Sequence, residues 1–93
     1  MTITHEPDQE RFVARVSGGL AMLEYARVGP DLIDFQHTYV PDRDRGRGVA
    51  AALVEAGVDW VETQGARIIP SCWYVETWFR RHPDRADLLA SSD

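Results

Sequence analysis

The sequence predicts a small mixed α/β (α+β) domain: an antiparallel three-strand meander, a helix, a fourth strand parallel to the third, and a second helix. Three observations carry this reading. Residues 11–40 alternate apolar and polar positions in three short runs, separated by Ser17-Gly18-Gly19 and Gly29-Pro30-Asp31, which is the period of strands joined by tight turns. Residues 48–64 then change to three- and four-residue spacing, the period of a helix with one apolar stripe. The β-branched stretch Arg67-Ile68-Ile69-Pro70 follows that helix at once, so the connection is a helical crossover and the strand returns parallel to the third.

Taken in order, residues 1–9 are polar, contain Pro7 and are expected to fray. Arg11 to Val16 sets Phe12, Ala14 and Val16 on one face, and Leu20 to Val28 does the same with Ala21, Leu23 and Tyr25, so the two runs form a hairpin. Leu32 to Val40 places Ile33, Phe35, His37 and Tyr39 at one parity and Asp34, Gln36 and Thr38 at the other. The helix over Gly48 to Gln64 carries Val49, Leu53, Ala56, Gly57 and Trp60 at helical steps, and Gly65 stops it. Gly57 costs about 1 kcal/mol against alanine, which is tolerable where it lets the helix approach the sheet closely. Trp73 to His82 is the second helix, with Val75, Trp78, Phe79 and His82 in register and Pro83 ending it. Residues 84–93 close the domain, with Leu88 and Leu89 packing as a final turn.

Composition limits the function. Ninety-three residues with 44% hydrophobic content make one domain, residues 1–93, with a small core. The net charge of −5 argues against a nucleic-acid partner. No apolar run is long enough to cross a bilayer, which argues against a membrane partner, and the N-terminus carries acid where a leader needs base, so the expected location is the cytoplasm. A single cysteine and three scattered histidines, His5, His37 and His82, offer no metal-ligand spacing. The chain is expected to be a monomer or weak homodimer.

The stretch with chemistry in it is Arg43-Asp44-Arg45-Gly46-Arg47-Gly48-Val49-Ala50, a basic, glycine-rich turn that opens directly onto the first helix. Two glycines two apart let the backbone turn tightly and bring its N-H groups close to a ligand. The first N-H groups of a helix lack partners, and the macrodipole adds roughly 0.3–1 kcal/mol for an anion there. Arg43, Arg45 and Arg47 supply complementary charge. The turn therefore reads as a phosphate cradle, although it matches neither the dinucleotide fingerprint nor the Walker turn, and the chain has no lysine. Glu55, Asp59 and Glu62 line one side of the following helix, either as a solvated face or as an attraction for a cationic amine.

Arg43-x-x-Gly46-x-Gly48 resembles the [QR]-x-x-G-x-[GA] turn of the GNAT superfamily of N-acetyltransferases. With His37-Thr38-Tyr39-Val40-Pro41 before it, and Ile69-Pro70-Ser71-Cys72 and Phe79-Arg80-Arg81-His82-Pro83 after it, the chain is similar over residues 10–90 to the small single-domain GNAT-like branch that carries a cysteine. The resemblance implies an acyltransferase that takes acetyl-coenzyme A as cosubstrate and an amine as acceptor. It implies a gap between Thr38-Tyr39-Val40 and Ile69-Pro70-Ser71 for the pantetheine arm, with Tyr39 and Val40 holding the arm through their backbone. Amides from Arg45 to Ala50, among them Gly46, Arg47, Gly48 and Val49, would then hold the phosphates.

Cys72 falls between the fourth strand and the second helix, where a thiol feels the helix dipole. It reads either as a nucleophile or proton-handling thiol or as a small buried hydrophobe. His37 is either a general base or a core histidine. Tyr39 stands where relatives have a glutamate, which removes a candidate carboxylate base. Tyr74, like Trp73 and Trp78, reads as core or coenzyme-stacking. A coenzyme-binding regulatory module without turnover, and a nucleic-acid module using the arginine turn, are the alternatives; the acidic balance disfavours the second.

Overall fold

A computed structural model of the protein describes residues 1–90. Its strands are Ile3–Glu6 (β1), Arg11–Val16 (β2), Gly19–Gly29 (β3), Leu32–Tyr39 (β4) and Arg67–Ile69 (β5), and its helices are Val49–Thr63 (α1) and Trp73–Arg80 (α2). The five strands form one sheet in the order β1-β2-β3-β4-β5, with the first three pairings antiparallel and β4-β5 parallel. The meander, the crossover helix, the parallel last strand and the second helix are as the sequence leads one to expect.

The N-terminus departs from expectation. Residues 1–9 do not fray: Ile3 to Glu6 pair with Ala14 to Arg11 as an added edge strand. The physical reason is an aromatic cluster. The His5 ring stacks on Phe12 with centroids 4.1 Å apart and 3° between planes, meets the edge of Trp60 on α1, and its Nε2 lies 2.6 Å from the Tyr25 hydroxyl. Pro7 starts a short 3-10 turn that carries the chain from β1 into β2.

The core lies between α1 and the inner face of the sheet. Ala21, Leu23, Ile33 and Phe35 meet Leu53, Val54, Val58 and Val61, all of them fully buried. Gly57 is there for close approach, as its position suggested: a Cβ would sit 2.9 Å from Leu23 Cδ2 and 3.0 Å from Phe35 Cζ. Helix α2 adds Val75, Trp78 and Phe79 to the same core. It ends at Arg80, two residues before His82, whose ring stacks on Trp78 and whose Nδ1 lies 2.7 Å from the Trp78 carbonyl. A 3-10 turn over Pro83–Leu88 buries Leu88, and the Ala90 amide donates to the Ile68 carbonyl at 2.8 Å. The last part of the expected closing segment, residues 91–93, lies outside the described residues. No helix among the described residues is long and apolar enough to cross a membrane.

One irregularity positions the site. Tyr25 pairs with Phe35 and Glu24 with His37, so Gln36 is an extra residue in β4. A bulge of this kind reverses the parity of everything after it. Thr38, paired with the fully buried Leu23, now faces the core side, whereas His37, paired with exposed Glu24, faces outward.

Candidate active site

Strands β4 and β5 stay together for only three pairs: Leu32 with Arg67, Ile33 with Ile68 and Asp34 with Ile69. Pro70 then has no N-H to continue the ladder. The Cys72 amide donates to the Phe35 carbonyl at 3.0 Å, the last backbone bond across the opening among the described residues. Beyond it the two chains fork, and among the described residues His37 to Tyr39 pair with β3 alone, Gln36 being the bulged residue. A cavity of about 470 Å³ occupies the fork, with Thr38 and Val40 on the β4 side, Trp73 and Tyr74 on the α2 side, and the Gly46–Ala51 stretch across its mouth.

That stretch leaves its amides free. The Arg45 amide bonds back to the Asp42 carbonyl at 3.3 Å, and the next amide with a protein acceptor is Ala52, which bonds to Gly48 at 3.0 Å. Between them, Gly46 to Ala51 have no acceptor among the described residues. Gly46 and Gly48 both take φ +79°, where a Cβ crowds the backbone at a cost of roughly 1–2 kcal/mol. Gly48 is the N-cap of α1 and brings no side chain to satisfy the helix start. A row of unpartnered N-H groups at the positive end of a 15-residue helix is a site built for an anion.

The charges around it are arranged unevenly. Arg45 lines the cavity, where its Nε lies 3.4 Å from the Val40 carbonyl and 3.4 Å from Asp42 in a loose, exposed pair worth at most about 1 kcal/mol. Arg43 and Arg47, expected beside it, do not line the cavity. Asp44 does, although it is 96% covered. The Ser17 hydroxyl donates to its Oδ1 at 2.6 Å and the Gly18 amide to its Oδ2 at 2.9 Å. The Ser17 hydrogen bond, with the Gly18 and Ser17 amides and Arg47 behind it, holds this carboxyl below its ordinary range against the opposing effect of burial. Burial raises the Tyr74 phenol, with Arg81 opposing, so the phenol keeps its proton at neutral pH. Elsewhere on α1, Asp59 and Glu62 share the Arg85 guanidinium at 3.0 and 3.3 Å, which offsets one of their two charges.

Cys72 is the N-cap of α2 and is 7% exposed. It does not line the cavity; Thr38 does, and the Thr38 Oγ1 lies 3.7 Å from the Cys72 Sγ. His37 does not share a face with Phe35, as simple alternation would have it, because the Gln36 bulge turns it to the exposed outer face. Of the residues expected at the coenzyme, Val40, Arg45, Gly46, Gly48, Val49, Ala50 and Tyr74 come together around one cavity, and Tyr39, an exposed residue, stands outside it. From the sequence, Asp44 is not expected as a lining side chain, and Thr38 is expected beside the gap but at the wrong parity. Asp44 reads there as one more charge in a polar turn, and Thr38 reads as pointing away from the core. Among the described residues no group of His, Cys, Asp or Glu side chains could hold a metal ion.

Comparison with known proteins bears on the same elements. The family model described as GCN5-related N-acetyl-transferase matches residues 11–88. Protein NATD1 of Bos taurus is 36% identical over 83 residues, covering 87% of this chain and 74% of that protein, and protein NATD1 of Gallus gallus is 35% identical over 83 residues, covering 87% and 76%. Among solved structures, a GCN5-like protein of Staphylococcus aureus studied by NMR superposes with a TM-score of 0.77 at 23% identity, covering 99% of this chain and 90% of that one. Ard1 of Thermoplasma volcanium superposes at 0.60 with 16% identity, over 80% of this chain and 55% of its own. The fold is thus that of these acetyltransferase-like proteins, and with nearly the whole meander, cradle and fork inside the matched span, the chain belongs to the GCN5-related N-acetyltransferases, a family of acyltransferases.

Proposed function

We propose that the chain binds acetyl-coenzyme A in the fork between β4 and β5 and transfers the acetyl group to an amine. The observation that carries this is the free amide row from Gly46 to Ala51 at the mouth of the forked cavity. A diphosphate accepts from several such donors at once, and each charge-assisted bond contributes roughly 1.5–3 kcal/mol. The unpaired β4 edge at Tyr39 and Val40 offers main-chain groups to an extended amide-bearing arm, and the Tyr74 ring supplies an apolar wall. Arg43 and Arg47 contribute long-range attraction rather than contact.

At the reacting end, the amine nitrogen bonds to the thioester carbonyl carbon, the C–S bond breaks, and the sulfur departs with the proton that the amine gives up. Cys72 is covered, lies behind Thr38 at 3.7 Å and does not line the cavity, which favours direct attack over an acyl-cysteine. In this reading the thiol and the Thr38 hydroxyl form a short path for that proton. His37, on the outer face, would take the first proton of an acceptor that arrives there as its ammonium ion, so that the neutral amine attacks. The proposal extends to a cytoplasmic reaction, a monomer or weak homodimer, and, on the net charge of −5, no nucleic acid as partner.

A second reading, coenzyme binding without turnover, draws support from one feature. Among the described residues the only carboxylate on the cavity is Asp44, whose two oxygens are already engaged, and Tyr39 supplies no base in place of the glutamate. Calorimetric titration with acetyl-coenzyme A, followed by thiol release in the presence of a panel of primary amines, separates the two. Binding with release supports transfer, and binding without release supports the regulatory module. Gly46→Val and Gly48→Val should abolish binding while circular dichroism stays that of a folded protein; undiminished binding would show the cradle to be misassigned.

A further inference from the structure

We propose that the tip of the β2-β3 hairpin positions the anion cradle, with Asp44 as the positioning residue and Ser17 and Gly18 as its anchor. The inference rests on the coenzyme reading above and adds to it the part of the fold that sets the shape of the cradle.

A carboxylate is the wrong charge for a cavity that receives phosphates, so its presence in the lining asks for a reason. Its geometry gives one. Asp44 is the buried charged residue among the described ones, and burial of a charge is tolerated only where its oxygens are bonded. Both oxygens are bonded by the hairpin: Oδ1 accepts from the Ser17 hydroxyl at 2.6 Å and Oδ2 from the Gly18 amide at 2.9 Å. Ser17 and Gly18 are the two residues of the hairpin loop, between the closing pair Val16 and Gly19. The loop sits so tightly that a Cβ at Gly18 would fall 2.8 Å from Asp44 Oδ2, 2.8 Å from Pro41 Cβ and 2.9 Å from Arg43 Cγ. Gly18 is therefore needed for contact with three residues of one turn.

What that turn controls is the cradle. Asp44 ends a 3-10 turn over Asp42–Asp44, and between the Arg45 amide and the Gly48 carbonyl, which the Ala52 amide takes, no backbone bond among the described residues fixes the chain. The free stretch holds two glycines with positive φ, the most mobile residues to order. One end of it is held by α1 and the other by Asp44. With the anchor in place the amides stand ready for the diphosphate; without it, ordering them is charged against binding. The effect belongs to the diphosphate end of the ligand, because the pantetheine path runs along β4, which is paired with β3 independently of the hairpin tip.

The test uses two ligands that share the pantetheine arm, of which only one carries the diphosphate. Binding of coenzyme A is measured by calorimetry, and that of pantetheine by NMR titration, for the wild-type protein, Ser17→Ala, Ser17→Thr and Gly18→Ala, with folding followed by circular dichroism. Ser17→Ala should raise the Kd for coenzyme A about tenfold and leave that for pantetheine within about twofold. Ser17→Thr, which keeps the hydroxyl, should restore wild-type affinity, and Gly18→Ala should weaken coenzyme A binding at least as much as Ser17→Ala. Equal losses for both ligands would show a general structural role and overturn the proposal. Unchanged coenzyme A binding in folded Ser17→Ala would overturn it too, while leaving the coenzyme reading standing. Failure of the wild-type protein to bind coenzyme A would overturn that reading and this inference together.

Discussion

The Sγ of Cys72 lies 3.7 Å from the Oγ1 of Thr38, and of the two only Thr38 lines the forked cavity. If the pair carries a proton rather than holding the coenzyme, its loss separates rate from affinity. Cys72→Ala and Thr38→Val should each lower thiol release at saturating acetyl-coenzyme A by tenfold or more, with the coenzyme Kd within about threefold of wild type. Parallel losses in Kd would assign the pair to binding instead. Removing one small buried side-chain atom in Cys72→Ala should lower stability by only about 1 kcal/mol, read from denaturant unfolding.

The chain contains no lysine, which makes acyl-enzyme chemistry easy to detect. Intact mass after incubation with acetyl-coenzyme A should show no stable acetyl adduct on the thiol, because Cys72 is 7% exposed and off the cavity lining. An adduct that disappears in Cys72→Ala would establish a covalent intermediate and displace direct transfer.

Gly57→Ala tests the contact between α1 and the sheet. The alanine gains about 1 kcal/mol in helix propensity, but its methyl meets Leu23 Cδ2 and the Phe35 ring at 2.9 and 3.0 Å inside a fully buried layer. Overpacking outweighs propensity there, and chemical denaturation should show a net loss of about 1–2 kcal/mol. A gain in stability would mean that α1 rides farther from the sheet than described.

The N-terminal strand should make stability depend on pH. Burial holds the His5 imidazole below its ordinary value of 6.5. Its contribution is therefore complete above 6.5 and is lost as pH falls through the lower folded-state value, because the unfolded chain takes the proton first. Asp44, also held low, acts in a separate window: its contribution is present above about 3.9 and is lost only below that. Denaturant midpoints should fall between pH 7.5 and 5 in the wild-type protein, and the fall should be smaller in His5→Phe, which keeps the stack on Phe12 without a titrating ring. Equal slopes would remove His5 as the cause.

Much of this was legible in the residues. The alternation of Ala21, Leu23 and Tyr25, the helical stripe through Leu53 and Trp60, and the glycine pair 46 and 48 each report a local requirement that their own chemistry imposes. What was not legible depends on partners far along the chain. The Gln36 bulge carries no glycine or proline to announce it, yet it decides that Thr38 rather than His37 shares a side with Cys72. Strand β1 is short and followed by Pro7, and it is held by a histidine that only the rings of Phe12, Tyr25 and Trp60 make into an apolar residue. Asp44 sits among arginines and looks like solvated charge until Ser17, 27 positions earlier, is brought to it.

The central claim is that the main-chain N-H groups at the entry of α1 take the diphosphate. Titrating coenzyme A into isotopically labelled protein and following backbone amide resonances tests it residue by residue. The account predicts that the largest shifts fall on Gly46 to Ala51, with smaller ones at Thr38 to Val40 and at Tyr74. Resonances of Gly46 to Ala51 that stay in place at saturation, while others move, would contradict it.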